Sequence, residues 1–274
     1  MRPPVVTEAL AERLQRVLGV LQVAGITRAQ QLPGNPFGVH IERFGSATAY
    51  LAAALPGEPG WWNRVVGLDA ESAERLDDIL AFFRERKLRC YADVSPLVFT
   101  HDLARLLAER GLYATYNGTV LYGTPPAEAT PPAEGVEVRE VGPEGLDTFA
   151  EMWALGFEVT PGEEGERVTR LRRCWFEVPG SRRFIAYVDG APAAMAGLYI
   201  QDGVGYLNVG GTLPEFRRRG CHTALTHHRI YEAAKAGCDL VMGHTGAFGS
   251  LSQNNMERAG LRIAYSLVNW VDRA

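Results

Sequence analysis

Residues 124–134 read TPPAEATPPAE, four prolines with no large apolar side chain among them. Proline fixes φ and removes an amide donor, so such a run makes a semi-rigid extended connector and not a helix or a sheet interior. It divides the 274 residues into parts of similar size, each long enough to bury a core of its own. The expected organisation is therefore an N-terminal domain over 1–124, a linker over 125–134 and a C-terminal domain over 135–274.

Hydrophobic residues make up 46% and charged residues 22%, the balance of a globular protein. The formal net charge of -4 disfavours a general nucleic-acid binder, which needs surplus basic charge. Lys87 and Lys235 are the only lysines, so the basic charge is nearly all arginine, a bias spread along the chain. Cys90, Cys174, Cys221 and Cys238 are widely spaced and form no CxxC pair, which argues against a disulfide framework and against a metal centre. Residues 1–8 show no basic segment followed by an apolar core, and no apolar run is long enough to span a membrane. The expectation is a soluble cytoplasmic protein, with neither membrane nor nucleic acid as partner.

Hydrophobic periodicity outlines two α/β halves. In the first, helices are predicted over 8–24, 72–86 and 102–110, and strands over 47–55, 61–68, 88–94 and 112–122. The turn PGEPG lies between the first two strands, and Gly111 stops the last helix. In the second half, strands are predicted over 136–141, 183–188, 193–200, 205–210, 240–244 and 261–271, and helices over 146–157, 221–235 and 252–259. Asp189-Gly190 and Asp202-Gly203 are hairpin turns. Both halves close on strand, helix, Gly-Leu and strand, which suggests one α/β unit in tandem.

The segment richest in chemistry is 209–225, VGGTLPEFRRRGCHTAL. A strand ends, Pro214 breaks the pairing, a basic loop follows, and an apolar helix begins. The unpaired N–H groups of a helix start and the positive end of its dipole suit a pyrophosphate. Gly220 lets backbone approach such a ligand, and arginines add charge-assisted contacts. Without Pro214 and the later helix, this loop would read as a solvated basic turn; with them, a cofactor loop is favoured.

Its context resembles the GCN5-related N-acetyltransferase superfamily. The family's loop, Arg/Gln-x-x-Gly-x-Gly/Ala, corresponds to Arg217-x-x-Gly220-x-His222, and the segment 249–263, GSLSQNNMERAGLRI, resembles its second signature. The resemblance covers roughly the last half of the chain. It implies a mixed-sheet α/β acyl-CoA N-acyltransferase fold with acetyl-CoA as cofactor. The cofactor would lie against Val209, Gly211, Thr212, Arg217, Arg218, Arg219, Gly220, Cys221, His222, Asn254 and Asn255.

Two positions depart from the family pattern. His222 stands where Gly or Ala is usual; a ring turned away from the phosphates would leave the backbone donors intact. Met256 stands where a tyrosine commonly protonates the leaving thiolate. Tyr265 and Glu158 are the remaining catalytic candidates, and Tyr206, Asn208, Glu163, Glu164 and Glu166 are further polar groups expected near the acceptor. Ser250 and Ser252 read as helix caps, Cys221 as a buried residue, and His227 and His228 as exposed helix positions. In the first half the corresponding segment, NRVVGLDAE, puts two acidic residues where a phosphate would lie. That half is expected to be a degenerate copy. The leading expectation is acetyl transfer to a primary amine of a small molecule or peptide by direct attack, in a monomer or homodimer. The alternative is a non-catalytic module that binds coenzyme A as sensor or scaffold.

Overall fold

The computed structural model describes residues 3–55, 62–246 and 249–273; the PGEPG turn and Trp61 lie outside them. The chain forms two compact units, one built mainly from Val120–Thr245 with Gly249–Ala264, the other mainly from Thr7–Thr119 with Tyr265–Ala274. The units differ from the two sequence halves by an exchange of ends. Residues 265–273 belong with the first half, and residues 3–6 belong with the second. Residues 124–133 have neither helix nor strand, as four prolines dictate.

The N-terminal unit opens with helix α1 (Glu8–Gln30), whose N-cap Thr7 accepts from the Leu10 N–H. The helix outruns its predicted end at 24 because Ile26 and Ala29 continue the buried stripe of Leu14, Val17 and Leu21. Strand β1 (Val39–Phe44) pairs antiparallel with β2 (Ala47–Ala52), and β2 with β3 (Arg64–Val66). β1 escapes periodicity because only Val39 and Phe44 at its ends are buried. The predicted helix 72–86 is two helices, α2 (Ala70–Ala73) and α3 (Leu76–Arg84), broken at Glu74–Arg75. β4 (Tyr91–Val94) pairs parallel to β3. Helix α4 (His101–Glu109) and strand β5 (Leu112–Gly123) follow. Ala47, Ala49, Leu51, Val65, Ala92 and Val94 of the sheet pack on Ile79, Leu80, Phe83, Leu103 and Leu107.

The C-terminal unit begins with β6 (Val136–Glu140) and α5 (Leu146–Gly156). A second helix, α6 (Glu163–Phe176), occupies what was expected to be a loop. Its arginine-rich sequence hides a buried side made of Leu171, Cys174, Trp175 and Phe176. β7 (Ser181–Val188), β8 (Ala191–Gln201) and β9 (Val204–Leu207) form an antiparallel run, with β6 on its outer edge. Both hairpin turns place Asp and Gly at positive φ, as their sequences require. A short strand β10 (Gly210–Thr212) precedes α7 (Cys221–Lys235) and β11 (Leu240–Thr245), which pairs parallel to β9. Helix α8 (Leu251–Arg258) and strand β12 (Arg262–Asp272) complete the chain.

Alternation along β7 sorts this unit into three layers. Phe184, Ala186 and Val188 pack with Ala224, Leu225 and Ile230 of α7, while Ile185 faces Phe149, Trp153 and Phe176 of α5 and α6. The two units share a topology: three antiparallel strands, then a helical crossover to a strand parallel with the third. They differ at the start of the crossover. In the N-terminal unit Asp69 closes the helix itself, accepting from the Ser72 N–H at 2.9 Å while Ser72 accepts from the Asp69 N–H at 2.8 Å. Removing that cap with Asp69→Ala is expected to cost about 1 kcal/mol. Urea unfolding monitored by circular dichroism checks this, and an unchanged midpoint would show the cap to be inert.

Candidate functional site

The site begins with a miscount between two strands. Along β9, Gly205 faces Ile200 and Tyr206 faces Tyr199, but along β10 Gly210 faces Ala196 where the same register would give Met195. One extra residue has entered the strand, a β-bulge at Asn208 and Val209 opposite Gly197. Val209 takes φ +33, and the Gly197 N–H donates to the Asn208 carbonyl at 3.2 Å. A Cβ on Gly197 would lie 2.2 Å from Asn208 Oδ1, so a side chain here would displace that of Asn208.

The bulge also parts the sheet. β11 follows β9 up to the pair Gly243–Leu207, whereas β10 pairs with β8 alone. The gap is therefore bounded by β10 on one side and the end of β11 on the other. Asn208 Oδ1 in the bulge, Thr212 Oγ1 on β10 and Thr245 Oγ1 on β11 are buried with no hydrogen-bond partner among the described residues. Buried polar atoms are rarely left this way, and three at two diverging strands suit an extended ligand with amide and carbonyl groups.

Beneath the bulge lies Arg229 of α7, 1% exposed. Its Nη1 donates to the carbonyls of Gly197 at 2.9 Å, Asn208 at 3.2 Å and Val209 at 3.1 Å, and Nε donates to Leu225 O at 3.1 Å. No carboxylate pairs with it among the described residues. Burial pulls its pKa down to about 9, which still leaves it charged at neutral pH.

The loop ahead of α7 has the geometry of an anion cradle. Pro214–Phe216 makes a 3-10 turn, Arg218 has φ +66, and Gly220 has φ +81 as the residue capping α7. No side chain caps this helix start, and its first turn carries no acidic residue, so the amides of Cys221 and His222 are left to a ligand. Arg217 and Arg219 are half exposed and hold only surface partners, Glu158 at 4.0 Å and Asp189 at 3.2 Å. Cys221 is buried, and desolvation raises its pKa.

His222 turns its ring inward, away from the loop. Asn255 Nδ2 of α8 lies 3.3 Å from His222 Nδ1, and Thr226 Oγ1 lies 3.4 Å from the same nitrogen. The ring thereby links the loop to α8, and Asn255 is the asparagine joined to the site. Asn254 Nδ2 reaches only the Gly249 carbonyl at 3.5 Å. Burial, with the Arg229 charge nearby, lowers the His222 pKa to about 4. Gly211 packs against Gly156 at the end of α5, 3.5 Å from an added Cβ to the Gly156 Cα.

Tyr265 belongs to the N-terminal unit, and its hydroxyl donates to Gln15 Oε1 at 3.2 Å, so it does not join the loop. Glu158, at φ +54, projects an exposed side chain whose partner is Arg217. Glu163, Glu164 and Glu166 sit exposed in the first turn of α6 instead of in a loop. Met256 is buried, with Sδ 2.3 Å from where a Cβ on Gly243 would stand. Ser250 caps α8 through the Gln253 N–H at 3.2 Å. His228 is half-buried, edge-on to Phe184, and not an exposed position. Arg229 and Gly197 escaped sequence analysis. Their signal was an arginine on the same helical face as Cys221 and Leu225, at i+4 and i+8, where a buried apolar residue is the norm.

Bulge, splayed strands and an uncapped glycine-led helix together define a protein of the acyl-CoA N-acyltransferase fold. Residues 146–260 match the model of the acetyltransferase (GNAT) family. A search of curated proteins returns no match. Solved structures share the fold along nearly the whole chain. A GCN5-related N-acetyltransferase from Kribbella flavida is 19% identical with TM-score 0.61, covering 92% of this chain and 96% of its own. A GCN5-related N-acetyltransferase from Sphaerobacter thermophilus is 15% identical with TM-score 0.60, covering 99% and 94%. A tandem GNAT protein from the clavulanic acid biosynthesis pathway is 15% identical with TM-score 0.60, covering 98% and 97%.

The depressed His222 pKa carries a sign. The unfolded chain, with an ordinary histidine near ~6.5, takes up the proton first as pH falls. The stabilising contribution of the neutral ring is therefore present above about 6.5 and lost progressively towards about 4. The expected loss is about 3 kcal/mol across that window. His222→Ala should flatten this part of the stability–pH curve relative to wild type. Urea midpoints measured at half-unit pH steps check it, and parallel curves for the two proteins would refute it.

Proposed function

We propose that the C-terminal unit is an acetyl-CoA-dependent N-acetyltransferase acting on a primary amine of a small molecule or peptide in the cytoplasm. The observation that carries this reading is the uncapped start of α7 at Gly220 beside the bulge that parts β10 from β11. Acetyl-CoA, when bound, supplies an acyl group activated as a thioester.

The residues divide the labour. The Cys221 and His222 amides, with Arg217 and Arg219, bind the pyrophosphate at the dipole's positive end. Arg218, at positive φ, shapes the same loop. Thr212, Gly211 and Asn255 line the way from the loop to the bulge. Val209 and Gly210 present backbone at the point where the thioester carbonyl would lie. The nitrogen of a neutral amine held there would attack that carbonyl directly, its lone pair forming the new C–N bond as the C–S bond breaks and its surplus proton passing to water. A thiolate leaves more readily than an alkoxide, so the absence of a tyrosine at Met256 does not stop the reaction; water supplies the thiol proton. Positioning therefore carries more of the catalysis here than proton transfer does.

The N-terminal unit, in this reading, is a degenerate copy. Asp69 occupies its crossover helix start with a carboxylate, which both satisfies the amides and repels phosphate. The second reading, a coenzyme A-binding sensor or scaffold, draws on Met256 and on the lack of a carboxylate among Tyr206, Asn208 and Val209.

Isothermal calorimetry with acetyl-CoA is expected to show saturable binding by the full chain. Binding should be abolished in Gly220→Glu and weakened about 100-fold in the folded double variant Arg217→Glu/Arg219→Glu, given about 1.5–3 kcal/mol per charged hydrogen bond. No binding by wild type would remove the reading. Binding with no thiol release over a broad amine panel would transfer the protein to the second one.

A further inference from the structure

We infer that Arg229 is a positioning residue that holds the acyl end of the site in its reactive geometry; this rests on the proposed acetyltransferase reading. One guanidinium nitrogen collects the carbonyls of Gly197, Asn208 and Val209 at 2.9, 3.2 and 3.1 Å. Asn208 and Val209 are consecutive. In an ordinary strand successive carbonyls point to opposite edges; here both turn towards α7, because Val209 has φ +33. A trans peptide carries its N–H opposite its C=O, so the Val209 and Gly210 amides both turn away from Arg229.

The ladder gives the same direction for Gly210. The Leu213 N–H bonds the Ala193 carbonyl at 3.0 Å, which makes Leu213–Ala193 a hydrogen-bonded pair. Alternation then makes Gly210–Ala196 a non-bonded pair, and turns the Gly210 N–H away from β8 towards the gap beside β11. Two adjacent N–H groups aimed one way form a cradle for developing negative charge. Arg229 acts on both from behind. It fixes their direction, and by bonding the carbonyl ends of the same two peptides it polarises the N–H ends into stronger donors. Its charge has no carboxylate to cancel it among the described residues, and an added Cβ on Gly210 would lie 3.9 Å from its Nη2.

A residue that merely packed α7 on the sheet would affect coenzyme A and acetyl-CoA alike. A residue that aims amides at the acyl oxygen affects the thioester carbonyl itself. The test is isotope-edited infrared difference spectroscopy of acetyl-CoA labelled with carbon-13 at the carbonyl, bound to the full-length protein. In wild type the carbonyl stretch is expected below that of free acetyl-CoA. In Arg229→Met it should return most of the way to the free value. Coenzyme A affinity by calorimetry should stay within about threefold, and thiol release should fall about 10²-fold, the scale of a lost oxyanion donor. Arg229→Lys, which keeps charge but cannot span three carbonyls, should lie between them. An unshifted carbonyl in bound wild type overturns the inference whatever the variants do, as does a folded Arg229→Met with the wild-type stretch. A calorimetric blank with wild-type protein takes down the acetyltransferase reading first and this inference with it; retained binding with an unshifted carbonyl takes down this inference alone.

Discussion

One inserted residue organises the C-terminal unit. Without the bulge at Asn208–Val209, β9 and β10 would be one strand, and β11 could follow it in parallel for its full length. With it, pairing to β11 stops at Leu207 while pairing to β8 resumes one residue out of step. The sheet is thereby opened on one side and kept closed on the other. Unpaired strand edges usually invite association. Here the opened edge is short and adjoins side-chain oxygens of Asn208, Thr212 and Thr245 that are buried and lack partners among the described residues. An opening lined by unsatisfied polar atoms costs stability, and the structure holds it open with a buried cation and a glycine instead of filling it.

The two units show how little separates an open helix start from a closed one. Each has three antiparallel strands and a crossover to a parallel fourth. Gly220 leads α7 in a left-handed conformation with no side chain over the amides. Asp69 leads α2 in extended conformation with its carboxylate on the Ser72 amide. The same N–H groups are therefore open in one unit and already bonded to an anion in the other. That difference is electrostatic and local; it leaves the topology untouched.

Much of this was legible in the sequence, for identifiable reasons. α7 begins at Cys221 and ends at Lys235 as expected, since Gly220 and Gly237 bracket a strong apolar pattern. The proline run, the Asp-Gly hairpins and the helix stop at Gly111 are set by residues with few conformational choices. The misses occur where tertiary contact overrides local pattern. α6 reads as a polar loop because its first half is charged and its core-facing residues crowd into the last six positions. α3 and α2 read as one helix because nothing at Glu74–Arg75 marks the break. β9 and β10 read as one strand because a bulge has no composition of its own. The exchange of chain ends leaves no trace either, for β12 looks like any C-terminal strand.

The close approach of α7 to the sheet is what gives a long side chain this reach. Gly205 on β9 has no side chain where an added Cβ would stand 2.5 Å from the Ala233 Cβ, and Ala233 lies one turn beyond Arg229 on α7. A small residue on each surface lowers that turn onto the strand, so the guanidinium one turn earlier meets backbone carbonyls and not side chains. Gly197, opposite the bulge, makes room on the other face of β8 for the Asn208 and Val209 side chains, and Gly243 makes room for Met256 under β11. Each glycine taken singly looks like a weak strand residue. Taken together, Gly205 and Gly243 bring α7 and α8 in against the sheet, and Gly197 makes room for the bulge. The site is thus made as much by side chains withheld from the sheet as by those supplied from α7 and α8.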